Sequence, residues 1–204
     1  MDILLDLDGT IIKSEQGVVN AVMYALDNKN IEYDRDELIE FIGPPLWDQF
    51  GLYLEEAEIQ SAVDDFRKYY MDKGKFECEL YDGIEDALAK LSKDNRVFLA
   101  TSKSEVYAVE ILEHFGIDKY FTDFFCATHD GKIAYKVDIL KKAKEKYDFI
   151  KPMMVGDRAS DMKAAIDTQM LPVAATYGYG SLLELKNAQA QKFINSPMEL
   201  LELL

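Results

Sequence analysis

The sequence is poor in cysteine and in positive charge. Its two cysteines, Cys78 and Cys126, lie far apart and form no C-x-x-C pair. They read as buried free thiols of a reducing cytosol, and neither stands in a Gly-rich or His-flanked catalytic signature. Lys and Arg total 23 against 38 Asp and Glu, a formal net charge of −15. A chain this acidic excludes a nucleic acid polymer as its main partner, because phosphate contacts need clustered bases. An anionic membrane surface is disfavoured for the same reason. No run of 18 apolar residues occurs, so no membrane span is expected. The start, Met1-Asp2-Ile3-Leu4-Leu5-Asp6, has no basic segment of a signal peptide, and a cytoplasmic location follows as an expectation. Internal repeats and low-complexity segments are also lacking.

What is present is enough apolar residue, 49%, to build a core in 204 residues. Ile3-Leu4-Leu5 reads as a buried strand, broken at Gly9-Thr10. Helices are expected over 15–28, with Ser14 as cap, over 36–42 and over 55–73. Gly43-Pro44-Pro45-Leu46-Trp47 reads as a rigid turn between the last two. From Tyr81 onward helices and strands alternate. Helices fall near 84–93, 105–115, 136–147, 161–168, 181–187 and 198–204. Strands fall at 96–101, within 120–127, and at 153–155, 171–174 and 192–194. Such alternation implies right-handed βαβ units and a parallel sheet, which the strand at Ile3 must join. The fold class is therefore α/β, with an all-helical block inserted after the first strand. The domain reading is 1–13 with 80–204 for the α/β part and 14–79 for the helical insert. Residues 14–80 hold 16 acidic and 6 basic residues, so the insert carries about two thirds of the net negative charge.

Four features fall at expected strand ends, which share one crevice in a parallel sheet. The first is Asp6-Leu7-Asp8-Gly9-Thr10, two carboxylates leaving an apolar strand into a glycine turn. Charges there are costly unless they are exposed in a crevice or bind a cation. Oxygen ligands of this kind suit Mg2+, and Gly9 lets backbone amides approach an anion. An ordinary Asx turn is the alternative. The pentapeptide pattern should arise by chance in roughly one such chain in a few hundred. The second is Thr101-Ser102-Lys103, whose hydroxyls can donate to a phosphoryl oxygen or merely cap a helix. The third is Lys136, a cation at a helix start, against the helix dipole, which points to a nearby anion. The fourth is Gly156-Asp157-Arg158-Ala159-Ser160-Asp161. Helix capping accounts for one of its aspartates more readily than for both.

In that order, the four motifs resemble those of the haloacid dehalogenase superfamily, and the resemblance spans essentially the whole chain. Gly43-Pro44-Pro45-Leu46, Ala100-Thr101-Ser102-Lys103, Lys136-Val137-Asp138-Ile139-Leu140 and Tyr177-Gly178-Tyr179-Gly180-Ser181 look like its phosphoglycolate phosphatase branch. Ser104 stands where many relatives have proline. The resemblance implies a Rossmann-like core with an inserted helical cap domain. It implies a Mg2+-dependent phosphatase for a small phosphate ester; a monomer is the default expectation. Asp6 would be the nucleophile and Asp8 the acid and base. Leu7, Gly9, Thr101, Ser102 and Lys136 would bind phosphate. Asp6, the Asp8 backbone and Asp157 would hold the metal, with Asp161 orienting a metal water or Lys136 from behind.

In the cap, Gly43, Pro44 and Trp47 are the candidates for substrate selection, with internal packing as the alternative for Trp47. The insert's net −10 is expected to disfavour leaving groups that bring further negative charge. Within the superfamily, a sugar-phosphate mutase, a 5′-nucleotidase and a pyrophosphatase are the alternatives. A dehalogenase is disfavoured because Asp8 is present. Outside enzymes, the alternative is a non-catalytic phosphate-binding regulatory protein on the same fold.

Overall fold

Residues 3–5 are apolar without alternation, and a strand of that kind must be covered on both faces. The computed structural model, which describes residues 1–203, places them at the centre of a parallel sheet. The chain divides into two compact units: Met1–Lys13 with the chain from Leu80 onward, and Ser14–Glu79.

The strands are β1 (Asp2–Leu5), two-residue β2 (Ile12–Lys13) and β3 (Glu79–Leu80, at the division between the units), β4 (Arg96–Ser104), β5 (Asp123–Ala127), β6 (Pro152–Gly156), β7 (Leu171–Ala175) and β8 (Lys192–Ile194). Six of them form one sheet in the order β5-β4-β1-β6-β7-β8, and every pairing is parallel. Helices α4 (Ile84–Leu91), α5 (Glu105–His114), α6 (Lys136–Lys146), α7 (Ala159–Asp167) and α8 (Leu182–Asn187) connect them. Leu4, Phe98 and Met154 share one face of the sheet and pack with Ile139, Leu140 and Ala143 of α6 and Ala164 and Ala165 of α7. Ile3, Leu5, Val97 and Leu99 alternate with them and are also buried. The expected α/β class and parallel sheet are what the chain forms.

The second unit is helical: α1 (Glu15–Asp27), α2 (Leu46–Phe50) and α3 (Glu56–Asp72), with 3-10 turns at Arg35–Phe41 and Gly74–Phe76. Its core is aromatic. Phe41, Phe50, Phe66 and Tyr70 pack in sequence with ring centroids 5.0, 6.4 and 5.3 Å apart. Half-buried Trp47 donates from Nε1 to Gln60 Oε1 at 3.3 Å, and the Arg67 guanidinium sits 5.1 Å from its ring. Trp47 therefore packs on α3 within this unit.

Several local expectations are corrected. The segment expected as a helix over 36–42 is 3-10, capped by Asp34, whose carboxylate accepts the Asp36 N–H. Like charges at Asp36 and Glu40 oppose an α-helical i,i+4 contact. The rigid turn ends sooner than expected, because Pro45 leads straight into α2. A fixed φ suits proline to a helix start, where its missing N–H costs nothing. Pro197–Leu203 is 3-10 rather than α-helical, and Leu204 lies outside the described residues. Ser14 makes no side-chain cap bond on α1. Cys78 and Cys126 are free, as expected, but half-buried. No helix among the described residues is long and apolar enough to cross a membrane.

At the N-terminal edge of the sheet, Asp2 joins three segments. Its carboxylate accepts from Arg96 Nε at 2.6 Å and Nη2 at 2.8 Å, and from the Ile150 amide. Arg96 also donates to Asp148 O at 2.9 Å. Burial pushes the Asp2 carboxyl up, but the Arg96 fork and the Ile150 amide outweigh it and hold the group below its usual value. A depressed carboxyl contributes stability above its unfolded pKa and loses it as pH falls through the folded value. Asp2→Asn should therefore lower unfolding stability by about 2 kcal/mol at pH 7. That deficit should shrink in urea titrations as the pH drops below about 4, where the wild-type carboxyl also protonates.

Candidate active site

The register of the sheet decides what meets at its C-terminal edge. Leu5 of β1 lies opposite Leu99 of β4 and Val155 of β6. The Asp6 amide extends the ladder by donating to Val155 O at 2.9 Å. One step past Leu5 on the three strands come Asp6, Ala100 and Gly156, and one step further Leu7, Thr101 and Asp157. Three of the four expected motifs thus stand side by side because the parallel register sets them level on three neighbouring strands.

After Asp6 the chain turns sharply. The amides of Thr10, Ile11 and Ile12 all point at Leu7 O, at 3.3, 2.8 and 3.0 Å. Gly9 takes φ +75°, and a Cβ there would collide with the Asp157 carboxylate, so the turn requires glycine. Both amides expected to bind phosphate already have partners in the chain. Leu7 N–H donates to Asp6 Oδ1 at 2.8 Å, and Gly9 N–H donates to Ile12 O at 2.9 Å.

Lys136, the first residue of α6, is 5% exposed. Its Nζ lies 2.7 Å from Asp6 Oδ1, 2.9 Å from Asp161 Oδ1 and 2.8 Å from Ala100 O. The ammonium donates to the Ala100 carbonyl and is ion-paired with two carboxylates at once. The anion that a lysine at a helix start called for is thus a pair of carboxylates of the chain itself. Burial would lower the Lys136 ammonium, but Asp161 and Asp6 outweigh it and raise it.

Asp161 closes the start of α7. Its Oδ2 accepts the Arg158 N–H at 3.0 Å in a capping box, so both of its oxygens are engaged. Asp157 is fully buried. Its Oδ2 accepts the Tyr179 N–H at 2.8 Å, and its Oδ1 has no hydrogen-bond partner among the described residues. Capping accounts for Asp161 but not for Asp157.

Thr101 is buried, and its Oγ1 accepts the Lys103 N–H at 3.2 Å, which leaves the hydroxyl proton uncommitted. Ser102 is half-buried beside it. Neither caps a helix, because α5 starts only at Glu105, after Ser104. Asp8 turns its carboxylate toward Lys103, with Oδ1 3.0 Å from Nζ.

Ligand oxygens of Asp6, Asp157 and Asp161 lie within 4.8 Å of one another. Burial pushes the Asp6 carboxyl up to about 6, with Asp161 and Asp8 adding to the rise and Lys136 opposing it. It raises Asp157 well above the usual range, helped by Asp161 and Asp6. Counting Asp6, Asp8, Asp157 and Asp161 against Lys103 and Lys136 leaves two negative charges uncompensated. The cluster fits a divalent cation on chemistry as well as count: its donors are hard oxygens, and the unpartnered Asp157 Oδ1 lies among them.

Two contributors stand in segments that mark the resemblance but carry no assigned role in the sequence pattern: Lys103 and Tyr177–Ser181. The segment Tyr177–Ser181 supplies the Tyr179 amide, and a Cβ on Gly178 would collide with Asp157 and with Gly9 O. Its Gly-x-Gly spacing after a strand was the available signal. Tyr177 also donates from its hydroxyl to Thr10 O at 3.0 Å. His129 gains a partner in Ser104, Oγ to Nδ1 at 3.3 Å. Gly43, at φ +109°, and Pro44 lead into α2 in the second unit, with Trp47 on it.

Comparison with known proteins places this arrangement. The chain is similar to a 5′-nucleotidase of Pseudomonas aeruginosa, 32% identical over 194 residues, covering 92% of this chain and 88% of that protein. It is also similar to the tyrosine-protein kinase PtkA of Mycobacterium tuberculosis, 32% identical over 87% of this chain and 62% of that protein. Among solved structures, a predicted phosphatase from Clostridium acetobutylicum superposes with a TM-score of 0.94. It is 37% identical, with 98% of this chain and 96% of that one covered. A family match over residues 3–175 takes in Asp6, Asp8, Thr101, Lys136, Asp157 and Asp161 together, and this chain belongs to the haloacid dehalogenase-like hydrolases.

Proposed function

We propose that this protein is a Mg2+-dependent phosphatase that hydrolyses small phosphate monoesters through a phosphorylated Asp6. The observation that carries the reading is the cluster of four converging aspartates, short of two positive charges, at the end of a buried strand. Similarity to a 5′-nucleotidase and to a predicted phosphatase supports it.

Asp6 is the nucleophile. Its carboxylate oxygen forms a bond to phosphorus as the ester P–O bond breaks. The electron pair goes to the leaving oxygen, which takes a proton from the Asp8 carboxyl. A water then attacks the phosphorus of phospho-Asp6 and gives its proton to Asp8. Inorganic phosphate leaves, and both aspartates return to their starting states. One group cannot serve as ionised nucleophile and protonated acid at once, so two carboxyls in different surroundings are needed. Here Asp6 faces Lys136 and Asp8 faces Lys103.

Asp6, Asp157 and the Asp8 backbone carbonyl would hold Mg2+. Bound there, the ion would supply the missing positive charge and offset repulsion between carboxylate and phosphate. Asp161, with both oxygens engaged, orients Lys136. Thr101 offers its hydroxyl proton to a phosphoryl oxygen, beside Ser102. Lys136 meets the phosphate by exchanging one of its three acceptors for it. The Leu7 and Gly9 amides would have to share their present bonds. The helical unit 14–79 is the cap that selects the leaving group, with Gly43, Pro44 and Trp47 as candidates.

Asp6→Asn should abolish Mg2+-dependent phosphate release from p-nitrophenyl phosphate while circular dichroism stays unchanged. Full activity in that variant would remove Asp6 as nucleophile. Fluoride analogues of phosphate should inhibit only when Mg2+ is present, and turnover insensitive to chelation would count against the whole scheme. A nucleoside 5′-monophosphate heads the ester panel, given the nucleotidase relative.

A further inference from the structure

We infer that Lys103 is a positioning residue that holds the Asp8 carboxyl where it gives its proton to the leaving oxygen. The inference rests on the phosphatase reading above and adds a residue to it.

The starting observation is a defect in the sheet. β4 and β5 pair residue by residue from Phe98↔Asp123 to Thr101↔Cys126, and the next partners are Ser104↔Ala127. Three steps on β4 thus answer one step on β5, so Ser102 and Lys103 are surplus. A surplus of this kind is a bulge, and bulges re-aim side chains beside active sites. The bulge is closed locally, because Thr101 Oγ1 accepts the Lys103 N–H at 3.2 Å.

What the bulge aims is a buried cation. The Lys103 side chain is 7% exposed, with its Nζ 3.0 Å from Asp8 Oδ1. Ordering a lysine costs rotamer entropy, and burying its charge costs hydration. A residue placed for solubility would leave the ammonium in water.

The other three carboxylates are held by other groups. Lys136 holds Asp6 and Asp161, and the Tyr179 amide holds Asp157. Without Lys103, the Asp8 carboxyl would lose its one side-chain partner among the described residues and leave that rotamer. Proton transfer needs hydrogen-bond reach between Asp8 and the leaving oxygen, so displacement of Asp8 costs rate. It leaves substrate binding intact, because Thr101, Ser102 and Lys136 remain.

The test compares wild type with Lys103→Met and Lys103→Arg, full length, at millimolar Mg2+. Each is assayed on p-nitrophenyl phosphate and on a nucleoside 5′-monophosphate. Lys103→Met should lower kcat on the nucleotide by about 30- to 100-fold, with KM within twofold. The loss should be smaller on p-nitrophenyl phosphate, whose leaving group needs the proton less. Lys103→Arg should recover part of the rate. Thermal unfolding checks that the variants fold, and Lys103→Gln replaces Lys103→Met if that variant does not. Three outcomes overturn the inference: kcat within twofold of wild type, a tenfold rise in KM at unchanged kcat, and equal losses on both esters. The second would make Lys103 a substrate contact instead. Absence of turnover by the wild type would overturn the phosphatase reading, and this inference with it.

Discussion

The ammonium of Lys136 is the contact on which the site depends. It joins Asp6 after β1, Ala100 on β4 and Asp161 on α7 to the first residue of α6. A cation at a helix start opposes the macrodipole by up to about 1 kcal/mol. Two carboxylates and a carbonyl outweigh that. The arrangement works in reverse as well: without Lys136, Asp6 and Asp161 would be buried like charges, a loss of about 3–5 kcal/mol for a broken buried pair. The lysine therefore stabilises the fold and aligns the proposed nucleophile through the same three bonds.

Around that contact the backbone is drawn in unusually close. Gly9 and Gly178 bring two loops onto the Asp157 carboxylate, where any side chain would collide. The aspartate is thus held by main chain, through the Tyr179 amide, and not by flexible side chains. Groups fixed in this way need little reorganisation when charge develops, which is how a preorganised polar site favours a transition state. The same closeness removes water from Asp157 and raises its carboxyl. Rigidity and the unmet demand for positive charge are two results of one packing arrangement.

The legible part of this molecule was the part written in local pattern. The apolar run 3–5, the alternation after Tyr81 and the carboxylates at strand ends all follow from single-segment chemistry. They were enough to bring Asp6, Thr101, Lys136, Asp157 and Asp161 to one edge. What stayed unread depends on two segments at once. The bulge at Ser102 and Lys103 exists only relative to β5, and the contact of Gly178 with Asp157 exists only because β6 and β7 are neighbours. Helix type at Arg35–Phe41 and Pro197–Leu203 was missed for another reason. Both have helical composition, and only their hydrogen bonds distinguish 3-10 from α.

Strand β1 carries an aspartate at its start and another just past its end, and the two behave oppositely. Burial pushes both carboxyls up. Asp2 ends below its ordinary value because two guanidinium donors and an amide meet it. Asp6 ends near 6 because Lys136 is shared with Asp161 and the neighbouring carboxylates oppose it. Asp6 lies deeper and loses more hydration than Asp2, and it also meets fewer donors against more negative charges. A satisfied aspartate such as Asp2 can only contribute stability. An unsatisfied one keeps a lone pair and a charge that the chain has not matched, and a cation and a phosphorus centre can answer that mismatch. Acidity at the sheet's N-terminal edge is structural, and the same residue type at its C-terminal edge is left poised for chemistry.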